Sequence, residues 1–268
     1  MILKGKRGLI MGVANDKSIA WGIAKACAAQ GAELGFTYQG EVFKKRVEPL
    51  VQSIGGSKVI VECDVTNEAA IDQTFLEIKK HWGHFDFLVH AVAYSNKEEL
   101  KGRYCDTSLE NFLNSMHISC YSFTSVARRA AEMMPQGGSM MTLSYIGAER
   151  VIPNYNVMGV AKAALEASVK YLAADFGPNN IRIHGLSAGP MKTLAGSAIA
   201  NARYTYRTAE DTAALHRSVT LEDIGNTSVY LLSDMSSGTT GEMHYVDAGF
   251  RCMGMLPPSR VNQETDVD

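Results

Sequence analysis

Seven short apolar runs alternate with helical stretches along the chain, and that alternation restricts the fold more than any single motif does. The runs lie at 7–13 (RGLIMGV), 33–38 (ELGFTY), 58–65 (KVIVECDV), 85–91 (FDFLVHA), 139–144 (SMMTLS), 181–187 (IRIHGLS) and near 243–247. Between them, apolar residues recur at helical spacing over 20–31, 41–53, 67–81, 108–134, 154–176 and 221–232. The runs are continuous rather than alternating, so both faces of each strand need cover. Strands of that kind belong to parallel sheets flanked by helices.

The right-handed crossover rule then gives a doubly wound, seven-stranded parallel Rossmann-like sheet, an α/β fold with helices on both faces. No repeat or Pro/Ser-rich linker interrupts the rhythm, so residues 1–268 are read as a single domain. With 46% hydrophobic residues, a sizeable core is available. A balance of 26 Lys plus Arg against 28 Asp plus Glu argues against nucleic acid as a partner. Five scattered cysteines, with no C-x-x-C pair, fit free thiols in a reducing compartment. The early basic residues Lys4, Lys6 and Arg7 do not suit a signal peptide, and no apolar run reaches the length of a membrane span. The expected location is the cytoplasm, with no membrane partner. The seven histidines form no H-E-x-x-H cluster, and no metal is expected.

In such a sheet, ligands bind beyond the carboxyl ends of the strands. The first of these turns reads GVANDKSIAWG, without the G-x-G-x-x-G fingerprint. Gly12 ends the strand either where backbone approaches a ligand or simply as a turn glycine. Ser18 stands as an N-cap, with the amides of Ile19 and Ala20 behind it suited to a pyrophosphate. At the end of the second strand, Gln39 can hydrogen-bond a ribose hydroxyl and offers no cation to a 2′-phosphate. NADH is therefore the expected cofactor, with Lys44, Lys45 and Arg46 read as a solvated face. Asp64, followed by Val65, either accepts from an adenine amino group or is an N-cap or turn residue before the next helix.

Residues 144–163 read SYIGAERVIPNYNVMGVAKA, which puts Tyr145 past a strand end and Tyr155 and Lys162 on the next helix. Seven residues return a helix to the same face, so Tyr155 and Lys162 can share one ligand. The Tyr-to-Lys spacing of four that marks an ordinary short-chain dehydrogenase is absent, because position 159 is Gly.

The spacing Tyr145, Tyr155, Lys162 within LSYIGAERVIPNYNVMGVAKAALEA resembles the NADH-dependent enoyl-acyl-carrier-protein reductases of bacterial type II fatty acid synthesis. This is a divergent branch of the short-chain dehydrogenase/reductase superfamily. The likeness extends through GVANDKSIAWGIA, GAELGFTYQ, CDV, SAGPMKTLA and SGTTGEMHYVDAGF. It implies reduction of the trans-2 double bond of an enoyl-acyl-carrier-protein thioester, the last step of the elongation cycle, in a homotetramer. It also implies catalytic roles for Tyr155, as the oxyanion donor, for Lys162, on the nicotinamide ribose, and for Tyr145, lining the acyl pocket. Val92 then lies under the nicotinamide, and Tyr94 and Ser95 lie beside the acyl group. Met191, Lys192, Thr193, Leu194 and Ala195 close over the nicotinamide amide and pyrophosphate, within a substrate lid spanning about 191–216. Ala93 and Tyr94 replace the Gly and Phe of many members, which narrows or polarises the pocket. In the stretch AIANARYTYR only Arg203 and Arg207 offer cations to an acidic carrier. Two other readings are a carbonyl-reducing short-chain dehydrogenase and a non-catalytic dinucleotide-binding protein.

Overall fold

Seven parallel strands form one sheet in the order β3-β2-β1-β4-β5-β6-β7. They are β1 (Arg7–Met11), β2 (Glu33–Tyr38), β3 (Ile60–Glu62), β4 (Phe87–His90), β5 (Gly138–Ser144), β6 (Ile181–Ala188) and β7 (Glu242–Val246). The computed structural model describes residues 1–193, 196 and 202–255. The chain starts in the middle of the sheet, builds outward to β3, then returns to lay β4 beside β1. That reversal opens a crevice between the ends of β1 and β4, where ligands of doubly wound sheets bind.

The apolar runs are continuous because each strand feeds two cores. Leu9, Met11, Leu88, Met140 and Ile183 point to one side, where α3 (Glu68–Trp82), α5 (Ser122–Glu132) and α6 (Asn156–Phe176) cover them with Phe75, Phe123 and Leu165. Ile10, Phe36, Phe87, Val89, Met141 and Leu186 point to the other. There α1 (Ile19–Ala29), α2 (Gly40–Ser53) and α8 (Leu221–Leu232) contribute Ile23, Val47 and Ile224. Each fully buried side chain of this kind stabilises the fold by roughly 1.5–3 kcal/mol, so register is fixed on both faces.

The structure shortens some expected elements. The runs at 7–13 and 58–65 keep only five and three residues in strands, because the chain turns at Gly12 and at Cys63-Asp64 to enter the next loops. The helix expected over 108–134 is α4 (Leu109–Met116), then a π-helical turn (His117–Tyr121), then α5, ending at Glu132. One extra residue in a turn leaves helical spacing almost intact on each side, so periodicity reads the three pieces as one. The excursion after β4 carries a short 3₁₀ turn (Tyr104–Asp106) and is tied down by Asn156, whose Nδ2 donates to the carbonyls of Leu100 and Gly102. In the second excursion, α7 (Ala202–Thr212) precedes α8. Among the described residues, no helix is long and apolar enough to cross a membrane.

Candidate active site

At the crevice, Gly12 has φ +96°, and a Cβ on it would lie 2.1 Å from the Ala91 carbonyl oxygen. Only glycine lets the end of β1 meet the end of β4 this closely, so the turn needs glycine for packing against β4. Beyond it the chain enters α1 without a side-chain cap. The Ser18 hydroxyl turns back into the loop and accepts from the amides of Ala14 and Asn15, each at 3.0 Å. Ser18 thus occupies the N-cap position, but its hydroxyl does not cap the helix. The contrast with α3 and α8 is informative, because Asn67 and Thr220 cap those helices with their own side chains. The first residues of α1, Ile19 and Ala20, line a cavity with no side-chain cap on their amides, an arrangement suited to a pyrophosphate.

That cavity measures 630 Å³ and brings together Gly12, Ser18, Ile19, Val92, Tyr94, Ser95, Tyr145, Tyr155, Lys162, Met191 and Thr193. Lys192 lines a second cavity of 400 Å³ that shares Met191 and Thr193 with the first. Gln39, Asp64 and Val65 stand apart from both linings, at the ends of β2 and β3. The Gln39 side chain hydrogen-bonds the Asp64 carboxylate. Asp64 also accepts from the Thr66 amide and hydroxyl, at 2.9 and 2.7 Å, so it shapes the turn into α3. Burial opposes its ionisation, but the bonds from Thr66 and Gln39 hold the carboxyl below its ordinary range. Leu194 and Ala195, like residues 197–201 of the expected lid, lie outside the described residues. The α7 side of that segment reaches the cavity through Thr205 and Tyr206.

Tyr145 follows β5, and Tyr155 stands at the N-cap of α6 rather than within the helix. Asn154 and Asn156, on either side of it, both have positive φ, 62° and 39°. Asparagine tolerates that region better than most residues, and the two turns aim the Tyr155 ring inward. The two tyrosine rings pack edge to face with centroids 5.0 Å apart. Burial pushes the Tyr145 hydroxyl up to about 12 and the Tyr155 hydroxyl higher still, so both are protonated donors at neutral pH.

Lys162, only 6% exposed, lies two turns into α6 and donates to the Leu143 carbonyl at 2.8 Å. Burial lowers its ammonium to about 8, while Cys120 and Glu166 act to raise it. Glu166, four residues on, accepts from the Ser144 hydroxyl at 2.5 Å. Position 159, one turn beyond Tyr155, is glycine for a packing reason. A Cβ there would lie 2.7 Å from the Gly147 carbonyl oxygen. The loop after β5 rests against the backbone of α6, so the cation on this face comes at 162 instead.

Comparison with known proteins gives a consistent answer. The family model described as Enoyl-(Acyl carrier protein) reductase matches residues 12–251. The chain belongs to this reductase family. It is 56% identical over 267 residues to enoyl-[acyl-carrier-protein] reductase [NADH] 2 of Rhizobium meliloti (strain 1021), covering 100% of this chain and 99% of the relative. Among solved structures, FabI from Candidatus Liberibacter asiaticus is similar with a TM-score of 0.94 at 53% identity, covering 96% and 99% of the two chains. The Anaplasma phagocytophilum reductase, solved in complex with NAD, follows with a TM-score of 0.93 at 56% identity, over 96% and 98%.

In this reductase the site rests on a buried polar frame that sequence reasoning missed. Ser119, in the π turn, accepts from the Tyr94 amide and donates to the Tyr94 carbonyl, both at 3.0 Å. Asn111 Oδ1 accepts from the Asn96 amide at 3.0 Å, and Ser115 donates to the Ser95 hydroxyl at 2.8 Å. Beneath them His90 is fully buried, with Nε2 2.9 Å from the Ser122 hydroxyl. Burial, and then the Lys162 charge, push the imidazole down to about 3, so it is neutral. Phe43 and Met158 also line the cavity and were not expected there. No group of three or more His, Cys, Asp or Glu suited to a metal is found among the described residues.

Proposed function

We propose that the chain reduces the trans-2 double bond of enoyl thioesters carried on acyl-carrier protein, using NADH, as the last step of fatty acid elongation. The observation that carries this reading is the convergence of two protonated tyrosine hydroxyls and the Lys162 ammonium on one cavity at the sheet's reversal point.

The residues present fit the dinucleotide. Uncapped amides at Ile19 and Ala20 suit its pyrophosphate, Lys162 suits the ribose hydroxyls beside the nicotinamide, and Gln39 with Asp64 suits the adenosine end. Val92, Met191 and Thr193 complete its walls. Bound NADH supplies the hydride. As the thioester oxygen gains negative charge, Tyr155 donates a hydrogen bond to it, an interaction stronger in the transition state than in the ground state. Tyr145 packs edge-on to the Tyr155 ring, limiting its positions, and lines the acyl pocket together with Tyr94 and Ser95. The segment 191–216 acts as a lid, its α7 bringing Thr205 and Tyr206 onto the pocket.

A carbonyl-reducing dehydrogenase is disfavoured, because the position of its usual lysine is a glycine packed on backbone. Oxidation of NADH in the presence of a trans-2-enoyl thioester, and not with a 3-oxoacyl thioester, is the expected result. Turnover of the 3-oxoacyl substrate alone, or tight NADH binding without any turnover, overturns the reading. Assembly as a cytoplasmic homotetramer is part of this proposal. Its support is the exposed apolar side chains Leu109, Leu113 and Tyr121 on the α4–α5 arm and Tyr171 on α6, which cover no part of the sheet. Light scattering at micromolar concentration is expected to give four times the chain mass, and a monomer mass rules it out.

A further inference from the structure

We propose that Glu62, whose carboxylate holds the Gly40 amide at the start of α2, is the group by which this chain rejects a dinucleotide phosphorylated at the adenosine 2′ position. This rests on the dinucleotide reading above, in which the 2′ position lies at the end of β2.

Tyr38 and Glu62 are register partners at the ends of β2 and β3. The helix that follows begins at Gly40 with φ +71° and no side-chain cap. An open helix start attracts anions. Here the place is already taken, because the Gly40 amide donates to Glu62 Oε1 at 3.2 Å. Asp64, bonded to Gln39, adds a second carboxylate, and Glu41 lies in the first turn of α2. Of the cations that follow in α2, Lys44 lies 4.0 Å from Glu41 and 6.0 Å above the Tyr38 ring, and Arg46 lies 5.8 Å from the centroid of the Phe43 ring.

A ribose hydroxyl is neutral and can donate to a carboxylate. A 2′-phosphate brings about −1.5 to −2 charges and, when fully ionised, only acceptor oxygens. Gln39 explains why such a phosphate gains nothing at this position. Glu62 supplies the repulsion, and specificity generally needs both elements.

Dissociation constants for NADH and NADPH, from fluorescence titration of the wild type, Glu62→Gln and Glu62→Ala, test this directly. Glutamine keeps an oxygen for the Gly40 amide and removes only the charge. The NADPH-to-NADH ratio of dissociation constants is expected to fall about tenfold in Glu62→Gln, and further in Glu62→Ala, which also opens the amide to the phosphate. The wild-type ratio is expected to narrow as salt rises, because screening acts on exposed charges. The same titrations with 2′-AMP and 5′-AMP isolate the adenosine end from the nicotinamide. A ratio unchanged in both variants, or equal shifts for both cofactors as a merely structural role gives, overturns the proposal. Because the readout is binding, absence of enoyl turnover overturns the reductase reading alone.

Discussion

Tyr155→Phe is expected to lower kcat by about 10²-fold or less while the NADH dissociation constant stays within about threefold. The removed hydroxyl is a protonated donor in a buried site, and its bond to the thioester oxygen strengthens as charge develops. An oxyanion-hole donor is typically worth 10²- to 10³-fold, and a ribose hydroxyl nearby can share the task, which sets the lower expectation. Tyr145→Phe is expected to do less, since that ring packs beside the donor. Lys162→Ala is expected to act on the cofactor instead, raising the NADH dissociation constant by about 10- to 100-fold, the worth of a charge-assisted hydrogen bond.

The same lysine sets a pH dependence. Its ammonium is lowered to about 8 by burial, so the binding-competent charged form predominates below that pH and is lost above it. NADH affinity is expected to be flat at neutral pH and to weaken above about pH 8, approaching tenfold per unit, with the effect absent in Lys162→Ala. Fluorescence titration of NADH and turnover of one enoyl thioester, for all the variants across pH, separate these roles. If Tyr155→Phe weakens cofactor binding as much as Lys162→Ala and leaves turnover at saturating NADH unchanged, the division of labour is wrong.

Moving the lysine to the ordinary dehydrogenase spacing is expected to damage this enzyme rather than convert it. In Gly159→Lys the new Cβ falls 2.7 Å from the Gly147 carbonyl oxygen, a backbone atom that cannot rotate away. Gly147 is itself confined, since a Cβ there would lie 2.3 Å from Tyr155 Cδ1. Relief of the first contact therefore pushes the loop carrying Tyr145 away from the start of α6. Overpacking of this kind destabilises by about 1–3 kcal/mol, and a misplacement of about 1 Å at reacting groups can lower the rate about 10²-fold. Thermal unfolding is expected several degrees lower, with enoyl reduction down by about two orders of magnitude. The double variant Gly159→Lys with Lys162→Ala is expected to recover neither property. Wild-type turnover by that double variant sinks the packing explanation.

What the sequence made legible follows from what periodicity can carry. Continuous apolar runs such as Phe87–His90 report burial on two faces, and the parallel sheet follows from that. That Tyr155 and Lys162 face one cavity was legible through spacing, because two helical turns return to the same face, whereas Tyr145, which follows β5, was legible through the family resemblance. Spacing failed wherever a side chain acts through contacts distant in sequence. Ser119 and Asn111 sit on a helix with nothing local to mark them, yet they hold residues 94–96 some 15 to 25 positions away. The Ser18 hydroxyl was expected to cap its own helix, but the preceding loop offered it two amides. Glu62 escaped notice because it closes a strand, and only the register with β2 sets it beside Gly40.

The π turn at His117–Tyr121 is also a device of phase. Counted as regular α-helix, Tyr121 would be rotated about 120° from Leu109, well off the face that carries Leu109 and Leu113. Absorbing one residue in the wider turn reduces that offset to about 20°. Tyr121 accordingly joins them outside, at 51% exposed beside 72% and 58%. The same angular step turns Ser119 inward, toward Tyr94. A single backbone irregularity thus sets the outer apolar stripe and the inner polar frame together, and any change that regularised the helix would put both out of alignment at once.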